Sequence, residues 1–413
     1  MGPIAALLCA AALLGAGDPA GAATGDPAAP KVRWRSKDHP LDRLPDEMPA
    51  AAQAAILTWS SWAEEGGYRL DLEHGGSVLL VTPKKGGRWR SQMRLIDRTV
   101  KTFEDALPLP ERDPADELPP PSDDGGGLPE DPSDGPLPED PEGDGPVEPG
   151  DLGTTSWSWT KVWGTEGVPL DTETIVLFVV RDERDYKGLL EVLVDWHSYL
   201  TPWAEEAGGY TGFTLERPLA GAYIESASGM EEWNPDNEVV NRTAHLLLVR
   251  RFGQLPFWLS QGWSWYVEMK LLKAIYCFPY RNEFVWATEH TDWDKELAKT
   301  FGPRRGEPLR IGEVADWRRG AYDAAFARPA WGVVEFLRRH HPGALVRIAE
   351  DLRLHRAVNN RLDTGRGNWE RELDYDVPPE AQAEILERHA GPDFLLEVAE
   401  FFRLGSRYRG GSR

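Results

Sequence analysis

Residues 108–152 hold almost nothing that a folded core can use, and this constrains the whole chain. The stretch is built mainly from Pro, Gly, Asp and Glu, and Leu128 to Pro132 recurs as a near-repeat at Leu137 to Pro141. Such a segment buries too little apolar surface to offset its ordering entropy, so it is expected to be disordered and extended. It can serve as a solvated tether or as an acidic lure for a cationic partner or calcium. Any compact body must come from the flanks.

The flanks favour one interrupted domain over two separate ones. Upstream, residues 48–62 have helical periodicity, 68–72 and 77–82 read as strands, and 93–107 return to helical spacing. Downstream, 174–180 is a strongly apolar strand, 186–200 is helical in pattern and 220–225 is a short strand. Helical patterns then recur at 322–338, 344–354, 379–389 and 392–404. The expected fold class is α+β: a small mixed sheet with flanking helices, followed by a mainly helical C-terminal half. The expected domain plan has a signal peptide at 1–23 and a flexible leader at 24–44. One discontinuous domain spans 45–107 and 153–406, the acidic insertion occupies 108–152, and 407–413 is a tail.

Charge is as uneven as composition. The run from Glu111 to Asp151 has fifteen acidic residues against Arg112, which is −14 of the total −22 and leaves −8 for the rest. That balance argues against nucleic-acid or anionic-membrane binding. Residues 4–14 are apolar and lead into small residues ending near Thr24, too short to span a bilayer. They read as the apolar region of a secretory signal, although no Lys or Arg precedes Lys31; the alternative is an uncleaved leader. Leu8 stands before Cys9, where a lipoprotein signal wants a small residue. With the leader removed, Cys277 is the sole thiol, so neither an intrachain disulfide nor a cysteine metal site is possible. The mature chain is expected to lack a transmembrane segment and to be secreted, or held in the periplasm or cell envelope.

The stretch most informative about function is 239–268. Asn234 suits an N-cap, Pro235 the first helical position and Gly253 the C-terminal stop of one helix; Pro256 opens the next. The first helix carries Asn241 and His245, four apart and therefore on one face. This arrangement resembles the gluzincin (peptidase-MA) zinc metallopeptidases, whose first helix bears H-E-x-x-H and whose second carries W-L-x-E-G. Gly253, Leu255, Pro256, Trp258, Leu259, Gly262, Tyr266 and Glu268 follow that framework. The reactive positions do not. Asn241 stands in place of the first histidine, Arg242 in place of the catalytic glutamate and Gln261 in place of the third ligand; His245 alone remains. The likeness extends to the order of elements over 45–107 and 155–405, but it is specific only over 239–268. It implies a gluzincin-like fold and zinc-dependent peptide hydrolysis outside the cytoplasm.

The departures deny that chemistry. Catalytic zinc takes three ligands from His, Glu, Asp or Cys, with a water in the fourth position and a carboxylate to accept its proton. Asn and Gln offer neutral amide oxygens, which suit hard cations better, and Arg is permanently protonated and cannot act as a base. Loss of an outer-shell partner alone typically costs about 10–100-fold in metal affinity or activity. The expectation is therefore no catalytic residue, no metal and no cofactor. Arg242 could hold a carboxylate or phosphate in bidentate fashion, or pair with Glu238 or Glu268. Asn241-Arg242-Thr243 also matches a glycosylation sequon, discounted inside a helix. Glu238, Trp258, Trp265 and Glu268 are candidates for lining a groove that binds peptide or protein.

No other site competes strongly. His290 lies in a ligand-rich stretch with loop-like spacing, His340 and His341 precede Pro342, and His197 stands near Asp195 and Glu191. Neither a G-x-S-x-G elbow nor a Walker loop is present. Three readings follow. The first is a catalytically inactive peptidase homologue that keeps a binding groove. The second is an active metal-dependent hydrolase with an atypical ligand set such as Glu238, His245 and Glu268, and zinc belongs only here. The third is a purely structural exported domain.

Overall fold

A computed structural model describes residues 30–86, 88–108, 172–216, 218–226, 234–277, 290–302, 309, 314, 324–365, 368–371 and 375–409. The signal peptide, the acidic insertion and the end of the tail lie outside the described residues. The strands are β1 (Lys31–Trp34), β2 (Lys37–Pro40), β3 (Tyr68–Glu73), β4 (Val78–Pro83), β5 (Ile175–Val180), β6 (Gly212–Leu215), β7 (Ala220–Ile224), β8 (Arg361–Gly365) and β9 (Asn368–Arg371). The first seven form one mixed sheet in the order β2-β1-β3-β4-β5-β7-β6, and the last two form a separate hairpin.

Residues on both sides of the acidic insertion build this sheet. β4, from before it, runs parallel to β5, from after it, with Leu79 opposite Val176 and Val81 opposite Phe178. Both strands are buried on both faces, which is why they read as unbroken apolar runs instead of alternating ones. Helices α1 (Ala50–Gly66), α2 (Trp89–Ala106), α3 (Glu183–Trp196) and α4 (Thr201–Ala207) flank the sheet. Trp59 of α1 and Leu189 of α3 share one core with Leu79, Val81 and Phe178. Ile96 and Phe103 of α2 share the other with Leu80, Leu177 and Val179. Alternate residues of one strand thus feed two cores, each buried side chain contributing about 1.5–3 kcal/mol.

The second core continues into a helical half: α5 (Pro235–Phe252), α6 (Phe257–Leu272), α7 (Trp293–Thr300), α8 (Ala324–His340), α9 (Ala344–Asn359), α10 (Pro379–Ala390) and α11 (Phe394–Leu404). None of the described helices is long and apolar enough to cross a membrane. One expectation needs correction. The flexible leader assigned to 24–44 contains β1 and β2, and β1 pairs with β3 through Val32 and Leu70. Val32 and Trp34 alternate into the core while Arg33 and Arg35 face outward, so four residues suffice to extend the sheet edge.

Candidate functional site

The helix pair that carries the motif is built as its punctuation suggests. Asn234 caps α5, its side chain accepting from the Asp236 amide at 3.1 Å, and Pro235 opens the first turn. Gly253 ends α5 at φ +69°, a conformation that favours glycine, and α6 turns back against α5. Gly262 has a different reason to be glycine: a Cβ there would lie 2.6 Å from the Ala330 carbonyl of α8. Its absence lets α6 and α8 approach backbone to backbone.

Along the α5–α6 contact, the positions that the resemblance assigns to ligands are hydrogen-bonded to neighbouring side chains. Asn241 Nδ2 donates to Glu268 Oε1 at 2.6 Å, and Gln261 Nε2 donates to His245 Nδ1 at 3.3 Å. Asn237, one turn before Asn241, donates to Glu268 Oε2 at 2.7 Å and to the Ala274 carbonyl at 2.9 Å. Asn237, Asn241 and His245 thus form one i, i+4, i+8 stripe that meets Gln261 and Glu268 at i, i+7 on α6. The seam is closed to solvent: Asn241 is 8% exposed, His245 and Gln261 are each 4% exposed, and Glu268 is fully buried.

Glu268 is the hub. Besides the two asparagines, the Tyr276 and Cys277 amides donate to Oε2 at 2.9 and 3.2 Å. Burial pushes its carboxyl up to about 8, and these donors pull it back. Four donors and no acceptor suit the ionised form, so the geometry and the burial oppose each other.

Arg242 resolves in favour of its helix neighbour. Its guanidinium pairs with Glu238 at 2.6 Å and donates to Thr214 Oγ1 of β6 at 3.2 Å. It packs closely on β6, where a Cβ on Gly212 would come within 2.5 Å of its Nη2. The Cys277 thiol is hydrogen-bonded to Glu238, and burial pushes that thiol well above its ordinary range. The arginine therefore neutralises a buried carboxylate.

This donor set does not fit zinc. Of the four motif positions only His245 has a metal-binding group, and Gln261 already engages its Nδ1. The alternative set is not gathered either: Glu238 is held by Arg242, Glu268 by the two asparagines and His245 by Gln261. Among the described residues no cluster of three or more His, Cys, Asp or Glu could hold a metal ion. His290 accepts from Trp293 Nε1 at 3.1 Å, while His340 and His341 pack on the Phe336 ring. The expectation that Trp258 and Trp265 line a groove is overturned, since both are 1% exposed or less. Trp258 Nε1 donates to Gln382 and Trp265 Nε1 to the Cys277 carbonyl, both at 2.7 Å, so each ring is locked into the core. Glu238 and Glu268 are likewise interior.

An open cleft lies elsewhere on α6. A cleft of about 760 Å³ lies among α6, α7, α8 and α11. Its lining includes the aromatic side chains Tyr266, Trp331, Phe401 and Phe402, and the cations Lys270, Lys273, Lys295, Arg338 and Arg339. No sequence pattern announced it, because its cations come from three helices far apart in the chain. Asn237 was also missed, although its place one turn before Asn241 was a readable signal.

No protein-family model matches the chain, and no curated protein matches its sequence.

Proposed function

We propose that this chain is a catalytically inactive homologue of the gluzincin metallopeptidases, exported from the cytoplasm, that acts by binding polypeptide. One observation carries the reading: Asn241 and Gln261 are tied by hydrogen bonds to Glu268 and His245 inside a closed seam. A hydrolytic site needs an open metal position and a base beside it. Here the corresponding positions hold amides and an arginine already paired with Glu238. The seam is a structural remnant that fastens α5 to α6. The apolar leader at 4–14 supports export. Binding then falls to the open cleft on the outer side of α6, which offers aromatic surface and charge together. The test is incubation of the purified full chain with an unfolded protein mixture, with and without added zinc. The expected result is no cleavage in either case. Cleavage that a metal chelator abolishes overturns the proposal.

A further inference from the structure

We infer that the cleft among α6, α7, α8 and α11 is a binding site for the acidic segment 111–151 of this same chain. The inference rests on the polypeptide-binding reading above and gives it a ligand class: carboxylate-rich peptide interrupted by proline.

Charge is the first ground. On a chain of net charge −22, the cleft sets five cationic side chains against Asp294 and Glu335. Arg339 is paired with Glu335, and Lys295 with Asp292 at 2.8 Å. Lys270, Lys273 and Arg338 have no ion-pair partner among the described residues: Lys270 lies 5.7 Å from the centre of the Tyr266 ring, Lys273 donates to the Lys270 carbonyl and Arg338 to that of Ala106. Three cations thus flank a concave surface with no bonded carboxylate.

The floor is the second ground. Tyr266, Trp331, Phe401 and Phe402 line the floor with only their ring edges reaching it, each being no more than 9% exposed, so the floor is a narrow apolar strip that suits small apolar groups such as proline. The acidic segment twice repeats Leu-Pro-Glu-Asp-Pro, at 128–132 and 137–141, placing apolar and anionic groups side by side.

Chain connection decides among acidic ligands. Arg338 Nη1 donates to the carbonyl of Ala106, the last residue of α2, at 3.1 Å. Glu111 follows five residues later, so an extended chain keeps it within roughly 18 Å of Ala106. A tethered segment acts at an effective concentration on the order of millimolar. An external acidic polypeptide must compete with it and also approach a strongly anionic molecule.

The test is zero-length carbodiimide coupling of carboxylates to amines in the full chain, mapped by mass spectrometry on an equal mixture of ordinary and ¹⁵N-labelled protein. The segment's carboxylates are expected to join Lys270, Lys273 and Lys295 about tenfold more than the exposed Lys84, Lys85 and Lys187, and to lose that preference at about 0.5 M salt, where charges are screened within ~4 Å. Even spread over all lysines overturns the inference, as do products joining labelled to unlabelled chains, which would mean a second copy. In a second arm, a fluorescent peptide of residues 126–142 is titrated into the full chain and into one whose fifteen segment carboxylates are changed to amides. It should bind the amide chain about tenfold or more tighter than the full chain, and Lys270→Glu with Lys273→Glu should remove that binding. Equal affinity for both chains means that the cleft is open to external acidic polypeptides; the occupant is then wrong while the binding reading stands. No binding to the amide chain, with its fold intact by circular dichroism, overturns the cleft as an acidic-peptide site. Capture of a non-acidic polypeptide would then be the remaining support for the binding reading.

Discussion

Replacing Asn241 by alanine tests the seam most sharply. Among the described residues, Asn241 supplies the sole hydrogen bond to Glu268 Oε1, while Oε2 keeps Asn237 and two backbone amides. A hydrogen bond to a charged group is worth about 1.5–3 kcal/mol, and one between neutral groups about 0.5–1.5 kcal/mol. Asn241→Ala should therefore cost the larger amount near pH 9, where Glu268 is mostly ionised, and the smaller near pH 5. The wild-type background has its own slope. Folding raises the Glu268 carboxyl from the ordinary 4.5 to about 8, so the folded state holds its proton more tightly than the unfolded state. Stability from this group is fully present below the unfolded value and is lost as pH rises through about 8, at no more than ~1.4 kcal/mol per pH unit. Removing Asn241 removes a bond that lowers this carboxyl, so the loss should extend to higher pH. Urea unfolding followed by tryptophan fluorescence at the two pH values measures all of this. A cost below about 0.5 kcal/mol at both pH values would refute the reasoning. So would an unchanged cost near pH 9 in a Glu268→Gln background, since that variant carries no titrating carboxyl.

Three further outcomes are expected. Arg242→Met should destabilise by about 3–5 kcal/mol, because it leaves Glu238 buried without its cation; a loss under about 1 kcal/mol would mean that the pair is not formed. Gly262→Ala places a methyl 2.6 Å from the Ala330 carbonyl, so thermal unfolding should show about 1–3 kcal/mol of lost stability from forcing α6 and α8 apart; an unchanged Tm would contradict that close approach. The combined changes Asn241→His, Arg242→Glu and Gln261→Glu should create zinc affinity by calorimetry. No gain over the parent would show that these positions are not in register with a metal seat.

Much of the sheet was legible because burial on both faces leaves an unbroken apolar run, as at Val176 to Val180. The motif helices were legible because Asn234, Pro235 and Gly253 mark their ends by backbone chemistry. The first hairpin was harder to read: β1, beside the edge strand β2, has only Val32 and Trp34 pointing inward, too short a pattern to stand apart from a leader. In the site, identity and spacing showed which residues depart from the motif that the chain resembles, but not what those residues touch. Nothing in the chain order says that Glu268 receives the Tyr276 and Cys277 amides, because those come from the turn after α6. The two tryptophans misread as groove-lining show the same limit. An indole at helical spacing looks alike in a groove and in a core, and only the positions of Gln382 and the Cys277 carbonyl decide.

The zinc content of the full chain, purified without added metal and again after dialysis against equimolar zinc, tests the central claim most directly. If amides and a paired guanidinium have replaced the ligands, both samples will contain far less than stoichiometric zinc. Stoichiometric zinc that is lost on changing His245 to alanine would contradict the account.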